Sequence, residues 1–396
     1  MVPELREEFN RNFTPAKYQQ LLEWLATLCG TPIQFRVSET PCFVPKELLD
    51  RMAQYGHELV QQLLTSPKYL RVSDKTVPPE YNVANESPRP MFVSVDFGLV
   101  RNHKGGLDPK LVELQAFPTL YGYQPLSAQQ YTACYGLRND LGIYLGGFDH
   151  DSYSHLMREV IVGKHDPENV ILMEIDPQNQ KTLPDFLITQ KVLGIAIVDV
   201  LSLKKRGRKL YYAKDGREIE VNRIYNRCIV DELEKKGISL PFDIREPLDV
   251  EWAGHPNWYF RISKFSIPYL NHPCVPDTWF LDEHPSIPDD NENYILKPLY
   301  SFAGAGIKFA PTEADIDAIP AAERHNYIVQ ERLRFEPVIA TPYGMTQMET
   351  RIMYVWPDGG ELTPVLPLIR MGRGMMMGVD HNRDLQWVGG TAGLWV

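Results

Sequence analysis

Residues 294–309 read Y-I-L-K-P-L-Y-S-F-A-G-A-G-I-K-F. An apolar run closes on Lys297-Pro298, a small-residue stretch from Ser301 to Gly306 follows, and apolar residues resume at Ile307. Glycine lets successive N–H groups turn toward one point, so such a loop can wrap phosphate oxygens while Lys297 adds a compact positive charge. A β-hairpin with a small-residue turn is the plainer alternative. The loop is not a Walker loop, because G-x-x-x-x-G-K-[ST] occurs nowhere, and no G-x-G-x-x-G follows a strand to open a helix.

Downstream, Y-I-V-Q-E-R-L (327–333) is an apolar strand that turns polar at Gln330-Glu331-Arg332. Such an edge can bond an adenine through its backbone and a ribose through a carboxylate, although a plain strand end looks the same. In M-E-T-R-I-M-Y-V (348–355) the strand period of two puts Glu349 and Arg351 on one face, with Arg370 of L-P-L-I-R-M-G-R-G (366–374) on a neighbouring strand. Guanidinium forks match phosphoryl and carboxylate oxygens, and a Glu349–Arg351 salt bridge is the ordinary alternative. Upstream, M-F-V-S-V-D-F-G-L-V (91–100) and P-K-L-V-E-L-Q-A-F-P-T-L (109–120) flank the turn-rich R-N-H-K-G-G-L-D, which suits an antiparallel pair. Glu113 and Gln115 then share a face, and with Asp96 opposite them three oxygen-bearing side chains converge, as Mg²⁺ would require. A polar exposed sheet face would read identically.

With 396 residues, two or three domains are expected. Hydrophobic residues at 43% and charged residues at 23% describe an ordinary globular protein. The net charge of −10 argues against a nucleic-acid partner bound through phosphates, so the basic run Lys204–Lys209 reads as a solvated turn. Five widely spaced cysteines without a C-x-x-C pair indicate a reducing compartment. The N-terminus lacks the apolar stretch of a signal peptide, and the most apolar run, Val192–Leu203, is broken by Asp199, so a cytoplasmic protein that does not span a membrane is expected. Apolar residues at helical spacing in 45–66, and the earlier Y-Q-Q-L-L-E-W-L-A-T-L, predict a helical N-terminal section ended by the Pro-rich stretch 72–90. Beyond it, strands and helices alternate, predicting a mixed α/β (α+β) architecture with a hairpin turning at Asp215-Gly216.

Taken in order, these segments resemble the circularly permuted ATP-grasp enzymes, especially the synthetase domain of glutathionylspermidine synthases and, more distantly, the eukaryotic-type glutathione synthetases. The matching words are Asp96-Phe97, P-K-L-V-E-L-Q-A-F-P-T, the segment Ile171–Leu201, Lys264 in R-I-S-K-F, Lys297 with S-F-A-G-A-G, and Y-I-V-Q-E. The resemblance covers roughly residues 90–396. It implies a metal and substrate part at 91–170, a Rossmann-like substrate domain at 171–250 and an ATP-binding part at 251–396, after the helical section 1–90.

The implied activity is an ATP-dependent carboxylate–amine ligase that acts on small molecules through an acyl phosphate. In that scheme Lys264, Lys297, Ser301, Gly304, Gly306, Gln330 and Glu331 bind ATP, Asp96, Glu113 and Gln115 bind Mg²⁺, and Arg351 and Arg370 serve catalysis. V-N-R-I-Y-N-R (221–227) resembles the Tyr-x-Arg strand of glutathione synthetases, which makes Arg227 a substrate-binding candidate. Two departures favour an alternative, a catalytically altered nucleotide-binding scaffold. Gln115 stands where the family has Asn, and the loop lacks the family's glutamate.

Overall fold

The computed structural model describes residues 1–229, 233, 236–300, 304, 306–382 and 384–396. Two helices begun by prolines, α1 (Pro3–Asn12) and α2 (Pro15–Cys29), open the chain. The hydroxyl of Thr14 accepts the Lys17 N–H at the start of α2, and Gly30 ends it in the left-handed region. A short strand β1 (Cys42–Val44) precedes α3 (Lys46–Leu64), whose stripe of Leu48, Leu49, Met52, Leu59 and Leu63 is buried, and then α4 (Pro67–Ser73). Next come β2 (Phe92–Arg101), β3 (Leu107–Gln115), α5 (Tyr123–Tyr135) and α6 (His150–Ile161).

The middle of the chain supplies β4 (Val170–Glu174), α7 (Leu183–Leu193), β5 (Ala196–Asp199), β6 (Lys204–Arg206), β7 (Lys209–Lys214), β8 (Arg217–Val221), β9 (Arg223–Asn226) and β10 (Glu251–Ala253). The last third holds α8 (Asn257–Arg261), β11 (Thr278–Phe280), β12 (Tyr294–Pro298), β13 (Lys308–Phe309) and α9 (Glu313–Asp317). It ends with β14 (Tyr327–Glu331), β15 (Ile339–Thr341), β16 (Gly344–Val355), β17 (Thr363–Gly372) and β18 (Gly389–Trp395).

These strands make four sheets. The largest runs β1-β18-β17-β16-β2-β3 with β15 added beside β16, and it is antiparallel except where β1 pairs with β18. The helical N-terminal section therefore contributes an edge strand to the main sheet. Both faces of that sheet are covered. Ile352 and Tyr354 pack with α3 on one side, while Met353 and Val355 pack with Leu172 and Phe186 on the other. This double burial explains why β2 reads as a nearly unbroken apolar run.

A second sheet is four-stranded and parallel, β10-β9-β4-β5, with α7 crossing between β4 and β5. The strands flanking the glycine loop form a smaller antiparallel sheet, β11-β14-β12-β13. The fourth sheet is the meander β6-β7-β8, turned by Asp215 and Gly216, both at positive φ. There the basic run is neutralised at the surface: Lys204 and Arg206 pair with Glu218, Lys205 with Glu246, Arg208 with Asp249 and Lys209 with Glu220. No helix among the described residues is long and apolar enough to cross a membrane.

Candidate functional site

Alternation along β2, β3 and β16 decides which side chains meet. Asp96 lies directly opposite both Glu113 on β3 and Arg351 on β16, Ser94 lies opposite Gln115, and Glu349 lies opposite Arg370 of β17. Residues opposed in an antiparallel sheet share a face, so Asp96, Glu113, Gln115, Glu349, Arg351 and Arg370 all project from one side. The register shifts by one residue between Asp96 and Phe97, leaving Val112 as an extra residue on β3. Gly98 continues this face, and a Cβ there would overlap the ring of Phe335.

The charges on this face are tightly paired. Arg351 donates from Nε to Asp96 Oδ1 and from Nη2 to Oδ2, both at 2.7 Å, a bidentate fork. Arg370 donates to Asp96 Oδ2 as well and also pairs with Glu349. Burial raises the Asp96 carboxyl, but the two guanidinium groups outweigh it and hold the pKa below the ordinary value. For Glu349 burial prevails over Arg370, and its pKa is raised. With its amide oxygen turned to Arg351, Gln115 accepts from Nη2 at 2.8 Å and Nη1 at 2.9 Å. The Nε of Arg370 is buried without a hydrogen-bond partner among the described residues.

The smaller sheet brings in the lysines. Lys297 on β12 is 5% exposed and donates to Gln330 Oε1 on β14 at 2.6 Å, and Gln330 donates onward to the Thr278 hydroxyl at 3.1 Å. Burial, with Lys264 nearby, pushes the Lys297 ammonium down to about 8, although Glu113 and Glu349 pull the other way. Lys264, in the turn after α8, donates to the Leu299 carbonyl at 3.4 Å and stands 3.9 Å from a Glu113 oxygen. Strand β12, the Lys264 turn and the large sheet therefore converge on one cluster, in which Lys264, Lys297, Arg351 and Arg370 face Asp96, Glu113 and Glu349.

Other expected site residues lie as follows. Gly304 and Gly306 both take φ of +76°, and Met376 of the β17–β18 loop packs onto Gly304 so closely that a Cβ would stand 1.8 Å from its Cε. Ser301 falls outside the described residues. Glu331 is exposed at the end of β14, where its N–H donates to the Asp277 carbonyl at 2.8 Å.

Arg227 is elsewhere, at the carboxyl end of β9. Its side chain is 2% exposed and ion-paired with the wholly buried Asp185, with its guanidinium carbon 4.9 Å from the centre of the Phe186 ring. Asp185 also accepts the N–H groups of Leu120, Gly122 and Tyr123 at the start of α5, so this pair ties the parallel sheet to that helix. Breaking a buried pair from one side costs about 3–5 kcal/mol, and Arg227→Met is expected near the lower end because Asp185 keeps its three N–H donors. Denaturant unfolding checks this, and an unchanged midpoint would free Arg227 from a structural role.

The resemblance places Mg²⁺ at Asp96, Glu113 and Gln115, and the donor set here does not fit such an ion. Mg²⁺ needs nearly octahedral oxygens at about 2.0–2.1 Å. The two Asp96 oxygens accept three N–H groups from two arginines, and the Gln115 oxygen faces Nη1 and Nη2 of Arg351. A dication beside them would sit against two guanidinium charges. The segment Leu299–Ile307 contains no Asp or Glu to complete a shell, and no group of three His, Cys, Asp or Glu among the described residues is placed to hold a metal.

No known family description matches the sequence, and no curated protein matches it. Among solved structures, a glutathione synthetase-like effector from Globodera pallida, in its apo form, superposes with a TM-score of 0.62. The match covers 96% of each chain at 10% sequence identity. The fold is glutathione synthetase-like, an ATP-grasp-type architecture. At that identity the likeness concerns the fold alone.

Proposed function

We propose that the chain is an ATP-dependent carboxylate–amine ligase whose site is the cluster between the two sheets. The observation that carries this reading is the convergence of Lys264, Lys297, Arg351 and Arg370 from four separate segments. A site built to spread the charge of a transferring phosphoryl group needs such prearranged cations. Lys297 and Lys264 take the nucleotide phosphates, and Gln330 and Glu331 at the end of β14 take the base and ribose. Arg370, part-exposed and with its Nε unpaired among the described residues, takes the substrate carboxylate or the acyl phosphate made from it. The amine then attacks that intermediate and phosphate leaves. The five cysteines, none in a disulfide among the described residues, suit a cytoplasmic setting.

One observation favours a second reading, a nucleotide-binding protein without ligase turnover. Both oxygens of Asp96 are engaged by arginines, which leaves Glu113 as the one carboxylate of the expected metal set not in a direct hydrogen bond to a guanidinium. Turnover decides between them. ATP hydrolysis is screened over small carboxylates with hydroxylamine present, and a ligase yields ferric-positive hydroxamate together with ADP and phosphate. Tight ATP binding with no hydroxamate and no ADP over the whole panel would leave the scaffold reading.

A further inference from the structure

The cluster has to meet a ligand's charge without a metal anchored at Asp96. A nucleoside triphosphate carries close to four negative charges at neutral pH, and a site that receives it must offer positive charge. Magnesium ordinarily supplies two positive charges and needs protein oxygens to anchor it. Here the oxygens on β2 and β3 are turned to other work: Asp96 is a counter-ion for Arg351 and Arg370, and Gln115 steadies the outer nitrogens of Arg351. Glu113 lies 3.9 Å from the Lys264 ammonium. The positive charge comes from side chains already in place: two arginines and two lysines against three carboxylates, one of which, Glu349, shares Arg370 with Asp96.

We propose that this site holds a polyphosphate chain directly through Lys264 and Lys297, with Arg370 beside them, Arg351 kept by Asp96 and Gln115, and no divalent cation bridging the chain to Asp96 or Gln115. The proposal rests on the nucleotide reading for the identity of the ligand, but the anion chemistry stands apart from it. The lysines add point charges and Arg370 keeps an Nε without a hydrogen-bond partner among the described residues, so the free polyanion meets what a metal-bound one would partly lose. Coulombic attraction grows with ligand charge. The metal-free nucleotide should therefore bind at least as well as its magnesium complex.

The test is calorimetric titration of the whole chain with ATP and, separately, with inorganic tripolyphosphate, each in excess EDTA and in excess Mg²⁺. The expected result is ATP affinity in EDTA equal to or above that in Mg²⁺. A loss of about tenfold or more on chelation, worth about 1.4 kcal/mol, overturns the proposal and leaves the nucleotide reading intact. If tripolyphosphate binds in EDTA and ATP does not bind at all, the cationic site stands and the nucleotide reading falls. If neither ligand binds in either buffer, both fall. Gln115→Ala adds a readout that a metal ligand and an arginine anchor do not share. An anchor's loss lowers ATP affinity by the same factor in both buffers, whereas a loss seen only with Mg²⁺ makes Gln115 a metal ligand and overturns the proposal.

Discussion

Lys297→Met should lower ATP affinity by about 10–100-fold, the worth of one or two charge-assisted contacts, while leaving the thermal midpoint nearly unchanged. Two opposed effects hold the midpoint steady. Because burial brings the ammonium from 10.5 down to about 8, keeping it charged at pH 7 costs about 3 kcal/mol, and methionine removes that cost. The same change strands the Gln330 oxygen that Lys297 donates to, at about 1–3 kcal/mol.

Between pH 8 and 10.5 the unfolded chain binds more protons at this lysine than the folded one, so wild-type stability gains from it as pH rises through that window, and the variant lacks that gain. Phosphate affinity runs oppositely, since the free site loses its ammonium above pH 8. Titrations at pH 7 and pH 9 check both. A folded variant that binds ATP like the wild type, or a wild-type affinity that stays level across that interval, would take Lys297 out of the site.

Much of the site's layout follows from strand alternation alone. The period of two puts Glu113 with Gln115 and Glu349 with Arg351, and the short turn-rich link from 101 to 108 brings Asp96 opposite Glu113. What alternation cannot give is the partner chosen among several. Glu349 turns to Arg370 and Arg351 to Asp96 because β16 lies between β17 and β2, an order set by non-local pairing. The start of α5 is hidden for a similar reason. The local sequence suggests a helix beginning near Ala128, yet it begins at Tyr123, where the cap for the Gly122 and Tyr123 N–H groups comes from Asp185, some sixty residues away. The same remote carboxylate explains Arg227. A Tyr-x-Arg pattern suggests a substrate ligand, and nothing within the strand announces the buried acid that pairs with it. The edge strand β1 is equally silent, since three residues carry no period and its pairing with β18 joins distant parts of the chain.

Asp96→Asn should destabilise the protein by about 3–5 kcal/mol, the cost of leaving buried charges without their counter-ion, and Glu349→Gln should cost far less. Asp96 is the hub: it is 3% exposed and takes three N–H donors from two arginines, so asparagine leaves both guanidinium groups short of charge. Among the described residues Glu349 is ion-paired with Arg370, which keeps Asp96 when Glu349 is neutral, and the Gln amide oxygen still accepts from it. The pH dependence separates the two carboxylates. Asp96 titrates below the ordinary value in the folded chain, so its contribution is complete above about 4 and is lost as pH falls through the folded pKa. Glu349 titrates above the ordinary value, so the unfolded chain releases that proton first and stability declines as pH rises from 4.5 through the folded pKa. Denaturant unfolding from about pH 2 to pH 8 should therefore lose the fall below about pH 4 in Asp96→Asn and the decline that starts above 4.5 in Glu349→Gln. Equal losses of stability in the two variants at pH 7 would mean that Glu349 holds Arg370 as firmly as Asp96 does, and Asp96 would lose its place as the hub.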